Sequence, residues 1–228
     1  MMSFSWDNID TVLLDMDGTL LDLAFDNYFW SKLVPLEYAK QHNLSIEQTK
    51  EKLLPHFIEI KGTLNWYNID YWSGYMGFDV AALKMTIQDQ AAFLPLADFF
   101  LEQLQKMEKR AIIATNADPK AFMIKNQKTQ VGSFVEQVIS SHDLGFPKEE
   151  QEFWELLQTE VGFDSASTLF VDDSPSVLLS AREYGIGTIA AITRPDTTQE
   201  GSALNKLEEI EALPQDILRI EGVANLLN

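Results

Sequence analysis

Ile9-Asp10-Thr11-Val12-Leu13-Leu14-Asp15-Met16-Asp17-Gly18-Thr19 is the stretch on which the fold turns. Residues 9–14 form a short, mostly apolar run, as expected of a strand buried on both faces, and it runs straight into two acids, a glycine and a threonine. Beyond it, residues 22–91 read as helical. Leu, Ile and aromatics recur at three and four spacing, with breaks expected near Pro55, Lys61-Gly62 and Gly74 to Gly77. We read these residues as a helical insertion, with residues 1–21 and 92–228 forming the core around it. After Pro95 the rhythm changes. Residues 96–109 predict an amphipathic helix and 111–114 a buried strand ending at Thr115-Asn116. Pro119 begins a helix, 135–140 is a strand, Pro147 opens another helix, and 168–171 is a strand ending at Asp172-Asp173. Pro175 starts a helix that stops at Gly185, and residues 187–192 read as the last strand. Alternating strands and helices of this kind predict an α/β fold, a parallel sheet covered on both faces, with ligands at the carboxyl ends of the strands.

Composition narrows the partners. Thirty-five Asp and Glu against 17 Lys and Arg give a net charge of −18, which argues against a nucleic-acid polymer or an anionic membrane surface. No apolar run reaches the length of a membrane span, and residues 1–6 lack a basic start and a long apolar stretch, so a cytoplasmic protein is expected. Without cysteine there is no disulfide, thiolate nucleophile or thiolate-bound zinc, and His42, His56 and His142 show no metal-ligand spacing. Any metal should be a hard cation held by oxygen.

The strand ends carry the chemistry. Asp15 and Asp17, Thr115 and Asn116, and Asp172 and Asp173 end separate strands, and Lys148 arrives from a helix start. Together they suggest phosphoryl transfer. Asp15 is placed to attack phosphorus and form an aspartyl-phosphate, given cations and amides that screen its charge. Asp17, two residues on, is placed to protonate the leaving oxygen and then take a proton from water. Gly18 allows close approach to the phosphate, the amides around it and Thr19 can donate to its oxygens, and Thr115 and Asn116 add further donors. Mg²⁺ suits the oxygen donors, with Asp15, the Asp17 main-chain carbonyl and Asp173 as ligands and Asp172 either a ligand or an outer partner. Lys148 would balance Asp15 and the phosphate and lend the site positive potential.

Asp15-Met16-Asp17-Gly18-Thr19, Thr115-Asn116, Lys148 and Asp172-Asp173 resemble, in order and position, the four motifs of the haloacid-dehalogenase-like phosphohydrolases. The resemblance implies a Rossmann-like three-layer core, a helical cap inserted at residues 22–91, Mg²⁺ and an aspartyl-phosphate. Further stretches, DMDGTLLDLAFDNYFW from Asp15, TLNWY from Thr63, DYW from Asp70, GFPKE from Gly145 and LFVDDS from Leu169, are similar to the bacterial GMP/IMP nucleotidase branch of that family. That likeness implies a small phosphate monoester as substrate, purine nucleoside 5′-monophosphates such as GMP and IMP. Two other readings stand beside it: a phosphosugar phosphatase or phosphomutase on the same core, and a non-catalytic phospholigand-binding protein. Trp66, Tyr67, Tyr71, Trp72 and Tyr75 read first as cap packing. Asn65 and Asn68, three apart on one helix face and beside the aromatic Trp66, are the candidates for purine recognition. Ser141-His142-Asp143 lacks a nucleophile elbow and is read as structural, and Gly185-x-Gly187 lacks the third glycine and preceding strand of a dinucleotide site.

Overall fold

The computed structural model describes residues 4–198 and 208–227. Six strands, β1 (Thr11–Leu14), β2 (Arg110–Thr115), β3 (Gln137–Ser140), β4 (Thr168–Asp172), β5 (Thr188–Ile192) and β6 (Leu218–Ile220), form one sheet of order β3-β2-β1-β4-β5-β6. Every pairing is parallel. The chain therefore has an α/β, Rossmann-like architecture, with β1 flanked by β2 and β4 and all strand ends of the predicted site on one edge.

Side-chain alternation divides the strands between two cores, as a period of two requires. Val12, Leu14, Ile113 and Val171 face one side, packed on Phe100, Leu101 and Leu104 of a helix over Ala97–Lys106. Leu13, Ile112, Phe170 and Ile189 face the other, packed on Phe153, Trp154 and Leu157 and on Val177, Leu178 and Ala181. Three layers result. The central strands β1 and β4 are buried along their whole length, which explains why they read as continuous apolar runs.

Between β1 and β2 the described chain is helical: α1 (Ala24–Tyr28), a wider π turn (Phe29–Leu33), α2 (Val34–His42), α3 (Ile46–Ile60), α4 (Leu64–Tyr67), α5 (Ile69–Met76) and α6 (Val80–Met85), then α7 (Ala97–Lys106). After β2 come α8 (Pro119–Thr129), α9 (Ser141–Leu144), α10 (Gln151–Val161) and α11 (Pro175–Tyr184). Phe29, Val34, Tyr38, Leu53, Ile69, Trp72, Met76 and Val80 make a third apolar cluster, which Ala121 of α8 joins. The segment leaves and rejoins the core as a paired ribbon: Leu21 and Phe93 form an antiparallel bridge, and the N–H groups of Asp22 and Leu94 each donate at 2.9 Å, to Ala92 O and Leu20 O.

Two expectations need correction. Pro55 does not break a helix but lies inside α3 on its exposed side, as does Glu51, whose carbonyl loses its usual helical partner there. The strand over residues 188–192 is not the last, because β6 pairs beside it. Three residues with no clear alternation were too short to register as a strand.

Candidate active site

Asp15 leaves the end of β1 with its N–H on Val171 O at 2.9 Å, so the neighbouring strand sets its position. Its carboxylate Oδ1 meets Lys148 Nζ at 2.5 Å, and the same ammonium reaches Asp172 Oδ2 at 2.7 Å and Ala114 O at 3.1 Å. Lys148 is 2% exposed. Its charge is held above the ordinary lysine range: burial opposes this, but Asp15 and Asp172 outweigh it. Asp15 is pushed well up by burial, with Asp172, Asp173 and Asp17 adding to the effect and Lys148 opposing it. Asp172 is also raised by burial. Its Oδ1 accepts the Ser174 N–H at 2.7 Å, so both its oxygens are engaged.

Lys148 does not come from a helix start. It lies in a turn closed by Glu150 N–H on Pro147 O at 2.9 Å, and α10 begins only at Gln151. The reason is a long-range clamp: Lys148 donates its backbone N–H to Asn116 Oδ1 at 2.9 Å, which holds the turn under the strand ends. Asn116 Nδ2 donates to Glu149 Oε2 at 2.9 Å, so Asn116 clamps the Lys148-Glu149 turn with both ends of its amide. Thr115 Oγ1 accepts the Ala117 N–H at 3.0 Å. Gly18 has φ +87° and spends its N–H on Leu21 O at 2.7 Å. It contributes room, since a Cβ there would sit 2.4 Å from Asp173 Oδ2. Thr19 is fully buried, and its Oγ1 has no hydrogen-bond partner among the described residues.

Asp17 brings in residues that reading the sequence missed. Its Oδ2 meets Lys125 Nζ of α8 at 2.5 Å, Lys125 continues to Asp26 Oδ2 of α1 at 2.6 Å, and Asp26 Oδ1 pairs with Lys84 of α6. Burial raises Asp17, with Lys125 opposing it. Burial acts upward on Asp26 as well, but Lys125 and Lys84 together hold it below the usual carboxylate range. A signal was available. Lys84 lies four residues after buried Val80 and Lys125 four after buried Ala121, so each lysine interrupts an apolar helix face. Tyr67 was likewise read only as packing, yet its hydroxyl donates to Glu149 Oε1 at 2.9 Å across 82 positions of sequence.

The base-recognition candidates are arranged differently from expectation. Asn65 is in α4, whereas Asn68 sits between α4 and α5 and accepts the Tyr71 N–H at 2.8 Å, capping α5. The two therefore share no helix face, because Asn68 has the extended backbone a cap requires. Trp66 packs edge-on against Phe57 and Trp72, at 5.8 and 6.1 Å between centroids. Both ring nitrogens of His142 are buried without partners among the described residues, and Ser141 Oγ points to Asn116 O, so the structure assembles no triad there.

The donor set fits a hard divalent cation. Asp15, Asp172 and Asp173 each bring a carboxylate oxygen, all within 4.8 Å of one another. Counted as fully ionised, Asp15, Asp17, Asp26, Asp172 and Asp173 against Lys84, Lys125 and Lys148 carry two more negative charges than positive. Contrary to the expectation from sequence, Lys148 alone therefore does not make the site positive, and two further positive charges would only bring it to neutrality. Among the described residues no helix is long and apolar enough to cross a membrane.

Residues 9–185 match the family model described as haloacid dehalogenase-like hydrolase. The GMP/IMP nucleotidase YrfG of Escherichia coli strain K12 is 38% identical over 196 residues, which cover 86% of this chain and 88% of that protein. Among solved structures, a HAD phosphatase from Thermococcus onnurineus superposes with a TM-score of 0.76 at 19% identity, over 96% of both chains. L-2-haloacid dehalogenase from Xanthobacter autotrophicus does so with 0.62 at 17%, again over 96% of both, so the shared fold alone does not choose the reaction.

Proposed function

The chain belongs to the haloacid dehalogenase-like hydrolase family, and from that premise we propose that it is a magnesium-dependent phosphomonoesterase, a 5′-nucleotidase acting on purine nucleoside 5′-monophosphates such as GMP and IMP. The observation that carries this reading is Lys148 Nζ held between Asp15 and Asp172 at 2.5 and 2.7 Å. An ammonium there opposes the effect of burial on Asp15 and offsets the charge of an incoming phosphate. The purine preference is supported by the likeness to the nucleotidase and by the sequence of the helical segment, which we assign as a cap over residues 22–91.

An Asp15 oxygen attacks phosphorus, the bond from phosphorus to the sugar O5′ breaks, and Asp17 gives that oxygen a proton. Asp17 then takes a proton from water, whose oxygen attacks the aspartyl-phosphate and returns Asp15 as a carboxylate with free phosphate. Asn116 keeps the Lys148 turn in place, and the Thr115 hydroxyl proton and the backbone about Gly18 and Thr19 meet the phosphate oxygens. Asp15, the Asp17 main-chain carbonyl and Asp173 would hold Mg²⁺, with Asp172 as an outer partner, and the bound ion would supply positive charge to the phosphate. Asn65, Trp66 and Asn68 remain the candidates to select the base from the cap. A cytoplasmic location belongs to the same proposal.

Phosphate release over a panel of nucleoside monophosphates and sugar phosphates, with and without Mg²⁺, tests the reading. GMP and IMP should lead, with turnover lost on chelation. A sugar phosphate ahead of both would make this a phosphosugar phosphatase or mutase, and saturable binding without turnover would make it a binding protein. Asp15→Asn should abolish turnover, and Asp17→Asn should lower it roughly 10²–10⁴-fold. Near-normal rates in either would contradict the roles. If Asn68→Ala and Trp66→Ala both leave the ratio of GMP to sugar-phosphate activity unchanged, base selection lies elsewhere.

A further inference from the structure

Asp17 is not held by its own loop. The alternating chain Asp17, Lys125, Asp26, Lys84 draws on three separate elements, α8 and the two helices α1 and α6 that lie toward either end of the segment between β1 and β2. Both lysines are 2% exposed, and aromatic rings enclose them: Lys84 Nζ stands 4.9 Å from the Phe29 ring centre and 5.4 Å from that of Phe25, and Lys125 Nζ stands 5.8 Å from Phe25. Lys125 reaches both an Asp17 oxygen and an Asp26 oxygen, and Asp26 spends its second oxygen on Lys84. Two buried ammonium groups are costly to keep, and a simple structural pair would need only one of each charge.

We propose that Lys125, braced by Asp26 and Lys84, is a positioning residue for Asp17. It fixes the carboxylate by Oδ2, so that the proton for the leaving oxygen travels on Oδ1. Because Asp26 and Lys84 both come from the helical segment, the acid is correctly aimed only while that segment is seated on α8. Enclosure of the substrate and placement of the acid are thus one event. The inference rests on the acid–base role proposed for Asp17 and adds what aims it.

The test exploits leaving groups. A sugar alkoxide needs a proton to depart, whereas the phenolate of p-nitrophenyl phosphate does not, so loss of acid positioning must fall more heavily on the former. With saturating Mg²⁺, kcat/KM, which covers the steps through departure of the leaving group, is measured for Lys125→Met and Lys84→Met on p-nitrophenyl phosphate and on the best alkyl phosphate of the panel. The ratio of alkyl to aryl kcat/KM should fall tenfold or more in Lys125→Met, within the 10²–10⁴ available from acid assistance, with a smaller fall in the same direction for Lys84→Met. Both substrates are assayed on one sample, so any unfolded fraction cancels in the ratio. Asp17→Asn is the reference. If it lowers the ratio and Lys125→Met leaves it at the wild-type value, the positioning proposal fails alone. If Asp17→Asn also leaves the ratio unchanged, or wild-type protein turns over neither substrate, the reading of the whole site fails with it.

Discussion

Lys148→Met removes one ammonium and little else. The methionine retains an unbranched stem of similar volume, so the packing of a residue only 2% exposed is largely preserved. What remains is Asp15 and Asp172, with side chains 9% and 2% exposed, and among the described residues no other cation pairs with either. Removing one partner from a buried ion pair costs about 3–5 kcal/mol. At roughly 2–4 °C per kcal/mol for a chain of this size, Tm should fall by about 6–20 °C. The pH dependence has a definite sign. Both carboxyls already sit above the ordinary range, and loss of the ammonium raises them further. The folded variant then binds protons at a pH where the unfolded chain, with carboxyls near their usual value of about 3.9, does not. Its stability must therefore rise as pH falls from 7 to 5, and its deficit against wild type must shrink. Urea denaturation in chelator at both pH values measures this. A deficit below about 1 kcal/mol at pH 7, or one that does not narrow at pH 5, would refute the view that Lys148 is there to offset buried carboxylates.

Three further outcomes follow from the same geometry. Mg²⁺ at a hundred times its Kd should stabilise the protein by about 2.7 kcal/mol, roughly 5–11 °C in Tm, and Asp173→Asn should lose most of that shift; an equal shift in both proteins would put the cation elsewhere. Gly18→Ala places a Cβ 2.4 Å from Asp173 Oδ2 at a φ of +87°, so a Mg²⁺ titration should show weakened affinity, and an unchanged affinity would mean that Asp173 can move aside without consequence. Tyr67→Phe removes a hydroxyl that donates to Glu149 and should cost about 1.5–3 kcal/mol in denaturant unfolding; a loss under about 0.5 kcal/mol would show that the bond to Glu149 carries no weight.

The sheet and the strand-end residues were legible because their signals are local. A buried strand announces itself by four or five apolar residues, and the acids at its end stand beside it in sequence, as with Leu14 and Asp15 or Val171 and Asp172. Helix starts at Pro119 and Pro175 were equally plain, since each proline sits where its missing N–H costs nothing. Long-range partners were not. Lys125 lies 99 positions from Asp26, and Lys84 lies 58 from it, so no spacing rule connects them, although each lysine breaks an apolar helix face. Lys148 misled for a related reason. Pro147 reads as a helix start, but a side-chain clamp from Asn116, 32 residues earlier, holds the chain in a turn instead. Asn68 shows the same limit, because three-residue spacing suggests a shared face only if the helix is unbroken, and here the asparagine itself makes the break.

The ribbon joining Leu21 to Phe93 has a consequence for how such a chain can change. Departure and return lie within a hydrogen bond of each other, so everything between them could be excised and another module grafted in without shifting a single register in the sheet. Innovation in that loop is topologically free, with one tether: a newcomer must still present a carboxylate to Lys125, or leave that ammonium with Asp17 alone to share its charge.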